Sequence, residues 1–192
     1  MNSISSLKNV HKLGLFGDYK NKNDNEIIKI KEIKNINLFQ VVKYKNSKEN
    51  ISNFKIDGLN LPSSLKTISN SSTRIIWMGP DNWYIFSSNE ISKDLHNFKE
   101  TDFAITDLSH SRSIIELEGD MIYEVLKKGS PLDVGKLKAG DCANTIFNGI
   151  TITLDFISND PKIIRIFGLR SFGESLYHSL TDSSLEFGYK SV

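Results

Sequence analysis

Residues 74–86, RIIWMGPDNWYIF, hold two short apolar runs joined by a tight turn. Both runs are rich in β-branched and aromatic side chains, which favours strands. Between them, Pro80 presets φ, and Asp81 and Asn82 accept turn geometry. The stretch therefore predicts a β-hairpin, and with it antiparallel strand pairing.

Further strand-like segments lie on both sides of this hairpin. Residues 28–32 alternate isoleucine and lysine, which places Ile28 and Ile30 on one side of a strand, with Glu32 next in the series. The remaining segments are short runs of β-branched and aromatic residues between polar turns. They are residues 37–44, 103–109, 113–119, 145–157 and 162–168, with turns at 109–112 and 158–161.

Three helices are predicted between and after these strands. Residues 88–99 and 120–129 carry apolar side chains at helical spacing, and Gly129 ends the second helix. Residues 171–180 form the third, with Ser171 as its N-cap. Short strands in hairpins with interspersed helices predict an α+β fold, in which helices pack on one face of mostly antiparallel sheets.

Composition and charge divide the chain unevenly. Residues 1–25 are polar and predict an N-terminal arm, ordered only if a partner or the body holds it, before a single α+β domain over residues 26–192. Residues 1–66 hold twelve lysines and six acidic residues, whereas residues 67–192 hold twelve basic and seventeen acidic residues. A basic front on an acidic body indicates either a docking surface or solvated lysines, and their scatter favours the second. Aromatic residues do not interleave with them, so no nucleic-acid partner is expected.

Neither a membrane helix nor a signal peptide is predicted. No apolar stretch approaches the roughly 18–20 residues that a membrane helix needs, and residues 1–17 lack an apolar segment of signal-peptide length. We therefore expect a cytoplasmic protein without a membrane partner. The single cysteine, Cys142, excludes an internal disulfide and is expected to be a small buried side chain rather than a nucleophile.

One short segment suggests catalytic chemistry. It contains Asp107, Ser109, His110 and Arg112. Neighbouring side chains on an extended chain point to opposite faces, whereas a catalytic triad needs groups that converge from separate elements. We therefore expect a hydrogen-bonded break between two strands, in which Arg112 pairs with a carboxylate such as Asp107.

Other side chains with binding chemistry are scattered. At Arg170-Ser171, N-capping by Ser171 explains the pattern better than anion binding. Trp77 and Trp83 flank the first hairpin turn and are expected in the core rather than in a ligand stack. Glycine spacing excludes a dinucleotide-binding loop, and the histidines are too widely spaced for a zinc site: His11, His96, His110 and His178. No catalytic, cofactor-binding or metal-binding residue is assigned.

Taken in order, several segments resemble the gamma subunit of heterotetrameric sarcosine oxidase. Residues 77–86, WMGPDNWYIF, are similar to that family's L-G-P-D-E-W-L hairpin. Residues 106–134 are similar to its V-D-x-S-H-x-R strand, the helix after it and its K-G-C-P-L-D-L turn. Residues 140–145 correspond to its G-x-C-A-R-T, and residues 170–173 to its R-S-F-A.

The resemblance covers about residues 58–187 and departs from the family at two positions. Asn144 stands where the family usually has Arg, which puts the ionic contact of that Arg in doubt. Ser130 stands where the family usually has Cys, which argues further against thiol chemistry.

The resemblance implies a non-catalytic gamma subunit with alpha, beta and delta subunits as partners. In that family the complex demethylates sarcosine oxidatively, produces glycine and hydrogen peroxide, and passes the one-carbon unit to tetrahydrofolate. The FAD, FMN, NAD and folate sites lie on the alpha and beta subunits, and the delta subunit holds zinc. The gamma fold is similar to the folate-binding domain of aminomethyltransferases of the glycine cleavage system.

The alternative hypothesis is a stand-alone folate-binding or one-carbon-transfer domain of the aminomethyltransferase type. It requires an acidic residue placed to bind the pterin ring, and Asp102, Asp107 and Glu116 are candidates by residue type alone. Those enzymes carry additional domains, and the short chain favours the gamma subunit. A nucleic-acid binder that uses the basic front is a third, weaker hypothesis.

Overall fold

The computed structural model describes residues 5–23 and 26–192, which form two compact units. The first unit comprises the chain up to Lys34 together with Ser111–Val192, and the second unit comprises Asn35–His110. The described strands are β1 (Gly14–Phe16), β2 (Ile28–Glu32), β3 (Asn37–Lys43), β4 (Lys55–Ile56), β5 (Leu59–Asn60), β6 (Thr67–Ser69), β7 (Thr73–Gly79), β8 (Asn82–Ser87), β9 (Phe103–Asp107), β10 (Arg112–Glu118), β11 (Cys142–Phe147), β12 (Ile150–Asn159), β13 (Lys162–Leu169) and β14 (Tyr189–Ser191). The α-helices are α1 (Ser92–Leu95), α2 (Ile122–Gly129) and α3 (Gly173–Ser184).

The first unit is built on a seven-stranded sheet in the order β1-β14-β2-β10-β13-β12-β11. Its pairs are antiparallel except for β14 and β2, which run parallel. Side chains alternate along each strand, so one face buries an isoleucine- and leucine-rich core beneath α2 and α3. We call this the inner face, and the opposite one the outer face.

The second unit is built on a five-stranded antiparallel sheet in the order β6-β7-β8-β3-β9. The hairpin predicted at residues 74–86 is confirmed as β7 and β8, and Trp77 pairs with Trp83. The core beside this sheet includes three aromatic rings, Phe54, Phe98 and Phe103, with centroids 4.7–5.0 Å apart. Such edge-to-face and stacked contacts add to the energy of area burial.

Two predicted elements differ from the structure. Residues 88–99 form a helix only at Ser92–Leu95, although Ile91, Leu95 and Phe98 are all buried as their spacing predicts. After α1 the chain continues in short turns, because Asn97 N bonds to Asp94 O rather than four residues back. The strand predicted at 145–157 is two strands, which meet at Asn148-Gly149 with φ values of 46° and 81°. An Asn-Gly pair is a strong two-residue hairpin signal.

Several residues of the predicted arm lie in the first unit. Leu7 is fully buried in its core, and Phe16 in β1 stacks on Tyr189 of β14 with ring centroids 5.1 Å apart. Leu7 and Phe16 of the predicted arm therefore contact the rest of the first unit, as the prediction of an arm held by the body of the protein allows. The division into an arm and a single domain stays a prediction. No helix in the described ranges is long and apolar enough to cross a membrane.

Candidate functional site

Within the cluster at residues 107–112, Ser109 connects the end of edge strand β9 to the neighbouring strand β3 in the second unit. Ser109 Oγ accepts a hydrogen bond from Leu38 N at 3.0 Å, and Ser109 N donates to Asp107 Oδ1 at 2.9 Å. Hydrogen bonds to the Asp107 carboxylate from the side chain and the backbone N–H of Ser109 lower the pKa of Asp107, and the charge of exposed His110 acts in the same direction. The predicted hydrogen-bonded break is confirmed. Arg112 donates to Ser111 in the first unit, and its pairing with Asp107 stays a prediction.

The predicted N-cap at Ser171 is wrong. A 3₁₀ turn over Arg170–Phe172 precedes α3, so Phe172 occupies the cap position and makes no side-chain cap hydrogen bond. Glu174 in the first helical turn supplies negative charge where the helix dipole favours it, and accepts from Asn9 Nδ2 at 3.2 Å. The positive N-terminal end of the α3 dipole is therefore already compensated by the carboxylate of Glu174.

Trp83 and Cys142 are core residues, as predicted. Trp83 is 2% exposed and its indole N–H donates to Pro62 O at 3.0 Å. Trp77 is half-buried and packs against the same core. Cys142 is buried at the start of β11.

The three acidic residues considered for pterin binding lie in separate local environments. Glu116 on β10 pairs with Arg165 Nε at 2.7 Å, and both side chains are mostly buried. Hydrogen bonds from Ser47 and Thr101 lower the pKa of Asp102. Asp107 accepts from Ser109, as described. Each carboxylate thus has partners within this chain that support the local fold.

The two departures from the family pattern have structural partners. Ser130 is buried after α2, is hydrogen-bonded to Thr145 at 3.1 Å, and accepts from Leu132 N at 3.3 Å. Asn144 Oδ1 accepts from Thr153 Oγ1 at 2.7 Å across the β11–β12 pair. A hydroxyl therefore anchors the turn at 130–132, and a neutral cross-strand bond occupies the position of the family's Arg.

A polar cluster surrounds the buried carboxylate of Glu32 in the first unit. Glu32 is 7% exposed and accepts hydrogen bonds from Ser5 and from Ser6 at 3.2 Å, while Lys34 Nζ lies 3.2 Å away. Ser6 Oγ is also hydrogen-bonded to Ser113 Oγ at 2.8 Å. Burial raises the pKa of Glu32, but the bonds from Ser5, Lys34 and Ser6 outweigh it, so the pKa lies below its usual range.

His11 borders this cluster. Its ring meets Tyr177 edge-on with centroids 5.4 Å apart, and its buried Nε2 has no hydrogen-bond partner among the described residues. Burial lowers the pKa of His11, partly opposed by the negative charge of Glu32. The alternation at 28–32 indicated a carboxylate on the buried side. Its serine partners, more than twenty residues away, had no sequence signal.

A second polar cluster, in the other unit, surrounds Asp57. This residue has φ of 50°, and its Oδ2 accepts from Ser72, Thr73 and Asn70 at 2.7, 2.8 and 3.1 Å. These bonds lower its pKa, and Asp57 N donates to Asp94 Oδ2 at 2.6 Å. These bonds link the β4–β5 turn to the loop before β7, to the first residue of β7 and to α1. The cluster is therefore typical of a structural tie.

The outer face of the seven-stranded sheet carries two rows of side chains in register. One row runs Leu15, Lys190, Lys29 and Glu118, and strand pairing sets each beside the next. In the second row, Lys31 lies beside Glu116. Extending the β14–β2 and β1–β14 pairings by one residue places Val192 beside Lys31 and Leu13 beside Val192. We call Leu13, Leu15, Lys29, Lys31, Lys190 and Val192 the edge surface.

A cleft of about 770 Å³ opens beside β9 in the second unit. Tyr44 and Ile105 line it and are partly exposed, and the buried Phe98 also lines it. Lys99 at the rim is 3.5 Å from Glu49. Among the described residues, no group of three or more His, Cys, Asp or Glu side chains is placed to hold a metal ion.

Comparison with known proteins gives a family match and related structures. Residues 50–186 match the family described as "Sarcosine oxidase, gamma subunit family". The chain is 28% identical over 146 residues to the "Sarcosine oxidase subunit gamma" of Corynebacterium sp. (strain U-96). The aligned region covers 69% of this chain and 67% of that protein.

Two solved structures are similar in fold. "Heterotetrameric Sarcosine Oxidase from Corynebacterium sp. U-96 in complex with pyrrole 2-carboxylate" matches with TM-score 0.75 and 22% identity, over 86% of this chain and 87% of the matched chain. The glycine cleavage system aminomethyltransferase T from Bartonella henselae matches with TM-score 0.58 and 12% identity, over 80% of this chain and 45% of that one. These matches confirm the predicted α+β fold and its likeness to aminomethyltransferases.

Proposed function

The chain belongs to the sarcosine oxidase gamma subunit family, and on this premise we propose that it is the gamma subunit of a heterotetrameric sarcosine oxidase. The match over residues 50–186 carries the proposal, because it spans most of the second unit and the first unit from β10 through α3. The complex would demethylate sarcosine oxidatively to glycine, with tetrahydrofolate as one-carbon acceptor and hydrogen peroxide as product. A cytoplasmic location is part of this proposal.

The proposal includes a non-catalytic role for the chain itself. Its support is that two side chains with catalytic chemistry, Ser109 and Glu116, form hydrogen bonds or ion pairs within the fold. Ser109 closes a strand edge through Leu38 N, and Glu116 pairs with Arg165 within the sheet. Fold similarity to an aminomethyltransferase does not transfer an activity, since function depends on the residues of a site.

The partners would be the alpha, beta and delta subunits. FAD, FMN, NAD and folate would bind to alpha and beta, and zinc to delta, with none bound by this chain. The gamma chain would then contribute to assembly and to the stability of the enzyme. This assignment rests on the resemblance of the chain to its family.

Co-expression with the three other subunits tests the assembly role. We expect the chain to copurify with a tagged alpha subunit in a flavin-containing complex of constant stoichiometry, measured by size exclusion and absorbance. A monodisperse monomer that leaves the other subunits unbound would refute the proposal.

Two exposed side chains of the 107–112 cluster test the non-catalytic role. In the assembled enzyme, Asp107→Asn and His110→Ala should leave kcat for sarcosine within about twofold of wild type. A loss of about a hundredfold in an intact complex, which is the size of a general acid or base contribution, would assign chemistry to this chain.

Titration of the isolated chain with tetrahydrofolate distinguishes the gamma-subunit proposal from the alternative hypothesis of a stand-alone folate-binding domain. The gamma-subunit proposal expects no binding at millimolar folate. Saturable binding, lost in Glu116→Gln or Asp102→Asn, would favour a folate-binding domain instead.

A further inference from the structure

The edge surface combines exposed apolar side chains with lysines at one border of the seven-stranded sheet. Leu13, Leu15 and Val192 are 72%, 42% and 43% exposed. Leu15 and Lys190 face each other across the β1–β14 pair, whereas Phe16 and Tyr189 turn towards the core. Single exposed apolar residues are ordinary on a protein surface, but three adjacent ones at a sheet edge form a contiguous patch.

The lysines beside this patch are only partly neutralised within the chain. Lys29 Nζ forms an ion pair with Glu118 at 2.7 Å, and Glu116, next to Lys31 in register, pairs with Arg165. In the described part of the chain, neither Lys31 nor Lys190 forms an ion pair. The patch is therefore bordered by positive charge, which an acidic surface would complement.

The other border of the same sheet differs. β11 is the opposite edge strand, and Ile146 on its outer face is 44% exposed, close to the value for Leu15. Residues 142–159 contain no lysine or arginine, so this border carries an exposed apolar side chain without flanking cations on β11 or β12. Leu15 and Ile146 thus match in exposure and in place on an edge strand, and differ in charge environment.

We propose that the edge surface binds an acidic, partly apolar surface of another subunit of the sarcosine oxidase complex. The inference rests on the proposed function. All six residues of the edge surface lie outside residues 50–186, so the family match does not assign it. An edge strand with exposed backbone and apolar side chains invites association, and proteins cover such edges. The positive border selects an acidic partner over a second copy of the same basic patch.

The test is co-expression with the other three subunits, with recovery of this chain on a tagged alpha subunit as the measurement. The edge variant is Leu13→Asp with Leu15→Asp, and the charge variant is Lys31→Glu with Lys190→Glu. Ile146→Asp is the matched control. Because all five positions are on the outer face or at its border, circular dichroism and thermal midpoints should show wild-type folding for each variant. The charge variant keeps the test informative if the edge variant is unstable.

We expect recovery of the edge and charge variants to fall at least about tenfold, the loss typical of central interface residues. The control should stay within about twofold of wild type. Recovery of wild type should also fall with added salt, because the charged contacts are screened.

Three outcomes would overturn the inference while leaving the proposed function in place. In the first, wild type, edge and charge variants are recovered equally. In the second, the isolated chain self-associates and only the edge variant abolishes this, which assigns the surface to a second copy. In the third, the lysines are needed for retention on heparin or RNA but not for subunit recovery. Failure of wild type to bind any subunit would instead refute the proposed function.

Discussion

The buried Leu7 provides a quantitative test of whether residues 5–23 belong to the fold of the first unit. Leu7 is fully buried in the core of that unit. Its carbonyl accepts from Val10 N at 3.0 Å and His11 N at 2.8 Å, so a turn holds the side chain in place. Leu7→Ala removes three buried carbons and leaves a cavity, which costs about 3 kcal/mol of the free energy of unfolding. For a chain of this size the thermal midpoint should fall by about 6–12 °C.

The assay must report on the first unit. Both tryptophans of the chain, Trp77 and Trp83, lie in the second unit, so their fluorescence follows the wrong part. Amide hydrogen exchange of β2 and β10, together with urea denaturation followed by circular dichroism, measures the loss directly. Leu13→Ala is the control, because a side chain that is 72% exposed should change stability by less than about 0.5 kcal/mol. Equal stability of Leu7→Ala and wild type would show that this segment is an arm outside the cooperative core.

Three further substitutions test other contacts. Glu32→Gln should destabilise the first unit at pH 7, because folding lowers the pKa of Glu32. The stabilisation by the Glu32 charge is present above about pH 4.5 and is lost as pH falls through the folded pKa. The urea midpoints of the variant and of wild type should therefore converge as pH falls. Gly188→Ala should cost at least about 2 kcal/mol, because φ is +69° and a Cβ would lie 2.5 Å from Asp18 O, as thermal melts would show. Trp83→Phe should cost about 1–2 kcal/mol in the second unit, since the buried carbonyl of Pro62 loses its donor, measured by circular dichroism.

Each of these substitutions has a control or an opposing result. A constant difference between Glu32→Gln and wild type from pH 7 to pH 3 would contradict the charge argument. Gly58→Ala has a similar φ of +78° but nothing within 4 Å of the added Cβ, so it should cost less than Gly188→Ala. Trp77→Phe, at a half-buried side chain, should cost less than Trp83→Phe, and equal losses would refute a role for the indole hydrogen bond.

Local sequence patterns predicted the elements whose signals lie within a few residues. The hairpin at residues 74–86 and the helix that ends at Gly129 are both confirmed. The Asn148-Gly149 turn carries an equally local signal, but the alternation of side chains at 145–157 continues across it and favours one strand. Strand β14 offered no such pattern, because three residues are too few to show a period and both its neighbours are more than 150 residues away in the chain.

The polar clusters show the same limit. The spacing of Asp107 and Ser109 was enough to predict a hydrogen-bonded break, since Ser109 N bonds to a carboxylate two residues away. The cluster at Glu32 draws on Ser5 and Ser6, and the one at Asp57 on Ser72 and Thr73. Tertiary pairing alone brings these residues together, so propensity and periodicity contain no information about it.

The position of β14 between β1 and β2 has a consequence for the timing of assembly. During synthesis β2 is made early, but its neighbour on that side, residues 189–191, leaves the ribosome about 160 residues later. Until then β1 has no strand to pair with, and Lys190 and Val192 of the edge surface do not yet exist. The surface that we propose for subunit binding therefore forms only on chains synthesised through Val192. Assembly through it would discriminate against prematurely terminated chains.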